Sequence, residues 1–126
     1  MTQNEKELLL KDLCARLPFN HLVEYKGEEY NVLGIAHGRL VLCKPFMSYT
    51  LNEHPLVEEV KPYLFPLSSM TGEQYVEFVN LGNATSDDCF DGVNFNQLDW
   101  LIAHHFDYRG LIEKGLAIDA TGLNIY

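Results

Sequence analysis

Residues 21–44 read HLVEYKGEEYNVLGIAHGRLVLCK, and this stretch decides the fold. Its first residues alternate in polarity, so that Val23 and Tyr25 share one face of an extended chain and charged residues share the other. The dipeptides at 27–28 and 37–38 are both suited to tight turns between strands. The stretch therefore predicts three short strands joined by turns, which is an antiparallel meander.

A helix is predicted over residues 3–16, before the meander. Thr2 and Glu5 have the spacing of a capping box, and Pro18 ends the helical pattern. The residues expected on the buried face of this helix are Leu10, Leu13, Cys14 and Leu17. The residues expected mostly on the opposite, solvated face are Glu5, Lys6, Lys11, Asp12 and Arg16.

Prolines dominate the segment after the meander. Pro55, Pro62 and Pro66 limit regular structure there, because proline restricts its own backbone and that of the preceding residue. Residues 57–60 are predicted to form at most one short strand. An irregular segment over residues 61–67 is expected to follow and to pack on the sheet.

Two helical regions are predicted in the C-terminal half. Polar residues ending at Thr71 mark the start of the first, whose apolar residues are Tyr75, Val76, Phe78 and Val79. A polar loop is expected over residues 82–88. The last helical region begins near Asn94, is split at Gly110, resumes over residues 111–114 and ends at Gly115.

The overall prediction is one α+β domain over residues 1–126. A length of 126 residues with 47% hydrophobic and 21% charged residues suits a single globular domain. We expect an N-terminal helix, a small antiparallel sheet centred on residues 21–44, and C-terminal helices packed against it. A partly closed SH3-like barrel is the alternative if residues 57–60 and the C-terminal tail contribute strands.

The charge of the chain is acidic and unevenly distributed. Eighteen acidic residues against nine basic ones give a net charge of −9, which argues against direct binding to nucleic acid or to an anionic membrane. Residues 1–71 carry nine acids and seven bases, whereas residues 72–126 carry nine acids and two bases. The C-terminal half is therefore expected to attract a basic partner protein.

The cysteines and the N-terminal residues favour a cytoplasmic protein. Cys14, Cys43 and Cys89 are odd in number and widely spaced, which is typical of reduced thiols rather than a disulfide framework. The first residues are polar and acidic, unlike a signal peptide, and no apolar run is long enough to span a bilayer.

The histidines offer a weak candidate for a metal site. His104 and Asp107 are three residues apart and form the only local pair of ligands in the cluster that also holds His105. A complete site would need one of the distant histidines, which are His21, His37 and His54. No motif for a nucleophile or a phosphate-binding loop is present, so no catalytic residue and no cofactor are predicted.

Aromatic residues exceed what a small three-stranded sheet needs. The surplus in irregular segments consists of Phe46, Tyr49, Tyr63, Phe65, Trp100, Phe106 and Tyr108. The last five are candidates for anchoring an interface with a partner or a second copy of the chain. The alternative is that they cover the core under the long loop.

Two stretches resemble segments of a known family. They are VKPYLFPLSSMT at residues 60–71 and DWLIAHHFDYRGLIEKGLA at residues 99–117, about a quarter of the chain. Both are similar to a family of small proteins encoded in prophages and mobile elements of gut anaerobic bacteria. The resemblance implies a bacterial cytoplasm and an accessory role, and it implies no particular reaction.

The sequence therefore favours a non-catalytic accessory protein that binds another protein through its acidic C-terminal half. Its sharpest form is a nucleic-acid mimic that inhibits a DNA-binding protein in a salt-sensitive complex. The alternatives are a small metal-dependent hydrolase using His104 and Asp107, and a structural homodimer closed over the aromatics near Trp100.

Overall fold

The computed structural model describes residues 1–45, 50–82, 89–90 and 93–126. Phe46, Tyr49 and the predicted loop after residue 82 lie outside the described residues. The helices are α1 (Gln3–Arg16), α2 (Gly72–Gly82) and α3 (Phe95–Ala103). The strands are β1 (Leu22–Tyr25), β2 (Glu28–Ala36), β3 (Arg39–Cys43), β4 (Lys61–Pro66), β5 (Cys89–Phe90), β6 (Val93–Asn94), β7 (Phe106–Asp107) and β8 (Ile118–Asp119).

The architecture is α+β, as predicted. The main sheet has six strands in the order β3-β2-β1-β4-β7, with β8 also paired to β4. Strands β1 to β3 form the predicted antiparallel meander, and β1 continues antiparallel onto β4. Strands β7 and β8 both pair with β4 in parallel. The sheet is mixed and open, so the SH3-like alternative is not confirmed.

Helix α1 matches its predicted range, but its buried face is different from the prediction. The capping box forms, with the Thr2 hydroxyl accepting from the Glu5 amide and the Glu5 carboxylate accepting from the Thr2 amide. The buried residues are Leu9, Leu13, Asp12 and Arg16, and Cys14 is exposed. The prediction was wrong for Asp12, Arg16 and Cys14. The ion pair between Asp12 and Arg16 compensates the free-energy cost of burying the two charged side chains.

The proline-rich segment is more regular than predicted. Residues Val57–Glu59 form a short 3-10 helix rather than a strand, and the segment predicted to be irregular forms β4. Pro62 and Pro66 lie near the two ends of β4, where each meets a neighbouring strand on one side only. A proline lacks an amide donor, so these are the positions where β4 tolerates it.

The last predicted helical region is shorter than expected. Helix α3 ends at Ala103, the chain turns through His105 in the left-handed conformation at φ 64°, and β7 follows. Residues 111–114 form turns rather than helix, although Gly115 has the positive φ expected of a residue that ends a turn. Here β7 pairs with Phe65 and Pro66 of β4, so the chain is extended instead of helical.

The core lies between α1 and the meander. Its fully enclosed side chains include Leu9, Leu13, Leu40, Leu42 and Leu64. A second apolar cluster, around Trp100, joins α2 and α3 to β7. None of the helices in the described part of the chain is long and apolar enough to cross a membrane.

Candidate functional site

A buried ion pair connects α1 to β7. Asp12 and Arg16 have fully buried side chains, with Arg16 Nε 2.8 Å from Asp12 Oδ2 and Arg16 Nη2 3.2 Å from Asp12 Oδ1. Arg16 Nη2 also donates to the Phe106 carbonyl at 2.6 Å. The guanidinium therefore ties the first helix to a strand 90 residues later in the chain.

Tyr108 and Arg109 lie beside this ion pair. Arg109 Nε is 3.4 Å from Asp12 Oδ1, close enough for an ion pair but not oriented as a hydrogen bond. The guanidinium carbons of Arg16 and Arg109 lie 5.4 and 4.9 Å from the centre of the Tyr108 ring. Two cations thus contact one aromatic ring and share one carboxylate.

Two histidines meet next to the ion pair. His21 Nδ1 and His105 Nδ1 are 3.0 Å apart, and His21 is almost fully buried. A hydrogen bond between two imidazole nitrogens requires one to carry a proton and the other to lack it. The pair is therefore compatible with neutral rings, and protonating both facing nitrogens would break the contact.

The Tyr126 hydroxyl completes this cluster. It lies 3.2 Å from His21 Nδ1, accepts from the Leu22 amide at 3.0 Å and donates to the Tyr63 carbonyl at 2.9 Å. The Tyr126 ring stacks on His105 with centres 3.6 Å apart and planes at 12°. The C-terminal tyrosine thus fixes both the position and the plane of the His105 imidazole.

Burial and charge keep these groups neutral. Burial is the largest cause of the lowered pKa of both histidines, and the Arg16 charge lowers it further. The pKa of His21 falls well below its usual value, and that of His105 falls to about 4. Burial also raises the pKa of the Tyr126 hydroxyl. At neutral pH the cluster is uncharged beside a buried guanidinium.

The predicted metal candidates, His104 and Asp107, both contact backbone groups. His104 Nδ1 contacts the Trp100 carbonyl at 2.8 Å, and its ring stacks on the indole. The Asp107 carboxylate accepts from the amides of Leu111 and Ile112 at 3.0 and 2.9 Å. Among the described residues, no three or more His, Cys, Asp or Glu side chains gather where they could hold a metal.

Most of the predicted interface aromatics lie inside the chain. Tyr63, Trp100 and Phe106 are buried, while Phe65 and Tyr108 are partly buried. Phe106 stacks on Trp100 with ring centres 5.6 Å apart, and the Trp100 indole donates to Glu77 at 3.0 Å. Contact with a partner stays a prediction for these five residues, and their burial favours the alternative of a covered core.

The outward face of α2 is apolar, which the sequence did not reveal. Phe78 and Leu81 pack against Trp100 and define the inward face. Three apolar residues lie on the other side of the helix, where Tyr75 is 60% exposed, Val76 58% and Val79 38%. Helical residues spaced three or four apart share a face, so these three form one continuous strip. We call Tyr75, Val76 and Val79 the α2 strip.

The helices α2 and α3 carry exposed carboxylates. Glu73 and Glu77 are on the same helix, and Asp99 is exposed on the neighbouring α3. The two helices contain no lysine or arginine. The exposed surface of these two helices therefore combines the apolar α2 strip with negative charge.

A sequence signal existed for the buried ion pair. Leu9, Asp12, Leu13 and Arg16 are spaced as one helical stripe, and Asp12 with Arg16 has the i, i+4 spacing of a helical ion pair. The prediction placed Asp12 and Arg16 outside the core because it sorted residues by hydrophobicity alone. The contact between His21 and His105 has no such local signal, because it depends on the sheet.

Comparisons with protein families, with curated proteins and with solved structures found no match for this chain.

Proposed function

We propose that this chain is a non-catalytic accessory protein that binds another protein through the α2 strip and its acidic surround. The partner surface is apolar at its centre and carries lysine or arginine at its rim. A bacterial cytoplasm and a prophage or mobile element are the proposed setting, supported by the resemblance of residues 60–71 and 99–117 to that family.

The exposure of the α2 strip carries this proposal. An amphipathic helix normally turns its apolar face to the core, and α2 already does so with Phe78 and Leu81. Tyr75, Val76 and Val79 add a second apolar face that is 60%, 58% and 38% exposed in turn. Fully burying a valine-sized side chain contributes about 1.5 kcal/mol or more, so a partner that covers this face gains affinity.

The charge around the strip selects the partner. Two copies that met through this surface would bring their acidic helices together, and like charges at short range are unfavourable. A basic partner instead gains attraction during encounter, which is screened by salt. A heteromeric complex is therefore favoured over the homodimer.

The apolar centre also distinguishes this surface from a nucleic-acid mimic. A mimic needs carboxylates spaced like phosphates along its surface, whereas the centre of the helix face here consists of Tyr75, Val76 and Val79. The hydrolase alternative gains no support from the contacts of His104 and Asp107, which are with backbone groups nearby. Burial of apolar area therefore supplies affinity, and charge supplies selectivity.

A capture experiment with paired variants tests the proposal. Tagged wild-type protein and a Tyr75→Ser/Val76→Ser variant are exposed to host lysate at low and high salt, and bound proteins are quantified by mass spectrometry. Leu33→Ser is the matched control, because Leu33 is a 56% exposed residue on β2. We expect one basic partner to be lost in the double variant and at high salt, and to be retained by Leu33→Ser.

Charge variants test the second half of the proposal. Glu73→Lys places a cation beside the strip, and Glu113→Lys makes the same change in net charge at an exposed position outside α2 and α3. We expect only Glu73→Lys to weaken capture. A partner captured equally by the wild type and the double variant would contradict the proposal, as would equal loss in both charge variants.

A further inference from the structure

Unpartnered polar atoms concentrate beside the Asp12–Arg16 ion pair. Four buried side-chain atoms have no hydrogen-bond partner among the described residues, and they are Arg16 Nη1, His21 Nε2, Tyr108 Oη and Arg109 Nε. Three of the four belong to side chains that contact one another. A buried polar atom without a partner costs about 1–3 kcal/mol, so each such atom calls for an explanation such as a bound water or ion.

The three side chains form one compact group. Arg16 and Arg109 both lie within 5.4 Å of the Tyr108 ring centre, measured from their guanidinium carbons. Both also contact the Asp12 carboxylate, at 2.8 and 3.4 Å. The Arg109 side chain is 26% exposed while that of Arg16 is fully buried, so the group reaches from the interior to the surface at Arg109.

The group has an excess of donors and of positive charge. Two guanidiniums face a single carboxylate, that of Asp12, and a guanidinium can only donate hydrogen bonds. The Asp107 carboxylate accepts from the backbone amides of Leu111 and Ile112 and not from either guanidinium. The Arg16 charge also acts on the neighbouring His21 and His105 and lowers the pKa of both.

We propose that Arg109, Tyr108 and Arg16 form a binding site for a small oxyanion, of phosphate or carboxylate type. Such an anion would supply acceptors for the Tyr108 hydroxyl and for the unpartnered N–H groups of the two arginines. It also neutralises the excess guanidinium charge. Hydrogen bonds between an ionised oxygen and guanidinium or hydroxyl donors are stronger than neutral ones, and arginine pairs recognise phosphate and carboxylate preferentially.

This site is independent of the α2 strip. Its residues come from α1 and from the segment after β7, and none of them belongs to α2. Failure of protein capture therefore leaves the oxyanion proposal standing, and the reverse also holds. Arg109 is one of only two basic residues in residues 72–126, and Lys114 is the other.

The test is a titration of labelled protein with sodium phosphate and, separately, with sodium acetate, at constant ionic strength. Backbone amide shifts of residues 106–112 report binding. Tyr108→Phe removes only a hydroxyl that has no partner in the described chain, so it leaves the fold intact. Arg109→Gln removes the exposed cation, Arg109→Lys keeps its charge, and Lys114→Gln is the control at the other basic residue of this half.

We expect saturable binding of at least one anion by the wild type. The dissociation constant rises about tenfold in Tyr108→Phe and more in Arg109→Gln, while Lys114→Gln binds like the wild type. Arg109→Lys retains part of the affinity. Saturation by phosphate alone identifies the phosphate type, and saturation by acetate identifies the carboxylate type. Absence of saturation with both anions, or equal affinity in the wild type and Tyr108→Phe, would overturn the proposal.

Discussion

The Nδ1 atoms of His21 and His105 lie 3.0 Å apart although 84 residues separate them in the chain. His21 precedes β1, and His105 forms the left-handed turn between α3 and β7. The pairing of Phe65 with Phe106, together with the Phe65 amide donating to the His105 carbonyl at 2.8 Å, sets this distance. The contact joins the N-terminal and C-terminal parts of the sheet through two neutral rings.

This contact predicts that acid destabilises the fold before the carboxylates titrate. The unfolded chain protonates histidine near pH 6.5, whereas the folded pKa of His105 is about 4 and that of His21 is also lowered. Between these values the unfolded state binds more protons, so the free energy of unfolding falls as the pH falls. We expect a loss of about 1–2 kcal/mol between pH 7 and pH 5, measured by urea unfolding.

Two histidine variants isolate this effect. His105→Asn removes the titrating ring and keeps a residue that tolerates the left-handed conformation. It should flatten the pH dependence of the unfolding free energy. His54→Gln, at an exposed position away from this contact, is the comparison variant. Equal slopes for the wild type and His105→Asn would show that the buried histidines do not titrate as described.

The buried ion pair predicts a large asymmetry between single and double variants. Asp12→Leu leaves Arg16 charged and buried, and we expect a loss of about 3–5 kcal/mol in urea unfolding. Replacing both residues, as Asp12→Leu/Arg16→Met, removes the isolated charge and should recover most of that loss. Lys6→Ala is the comparison, because it breaks the 2.7 Å surface pair with Glu58 and should cost less than about 1 kcal/mol.

The two faces of α2 predict opposite sensitivities. Phe78→Ala removes contacts with Trp100, whose ring centre is 5.8 Å away, and should lower the unfolding free energy by about 2–3 kcal/mol. Val76→Ala changes an exposed side chain and should stay within about 0.5 kcal/mol of the wild type. A comparable loss in Val76→Ala would mean that the strip is part of the folded core.

Local signals predicted the N-terminal third of the fold. The capping box at Thr2 and the proline at 18 bounded α1, and alternation with two turn dipeptides located β1 to β3. The strand β4 was missed because its partners β7 and β8 come from more than 40 residues later in the chain. Parallel pairing over that distance leaves no local sequence pattern, and the two prolines of β4 indicated an irregular segment instead of a strand.

The candidate site was predictable only in part. His104 and Asp107 attracted notice as neighbours in sequence, but each is occupied by backbone groups close by. The residue that meets His21 is instead His105, because the left-handed turn carries its ring towards the sheet. The exposure of the α2 strip could not be read from its composition, since a helix with two apolar sides does not indicate which side is buried.

The most direct test of the central claim is photo-crosslinking at the α2 strip. The amino acid p-benzoylphenylalanine replaces Tyr75 in one variant and Leu33 in another, and both are irradiated in host cells. We predict one covalent adduct from position 75, none from position 33, and loss of the adduct when Glu73→Lys is added. Equal adducts from both positions, or none from position 75, would contradict the assignment of the α2 strip as the docking surface.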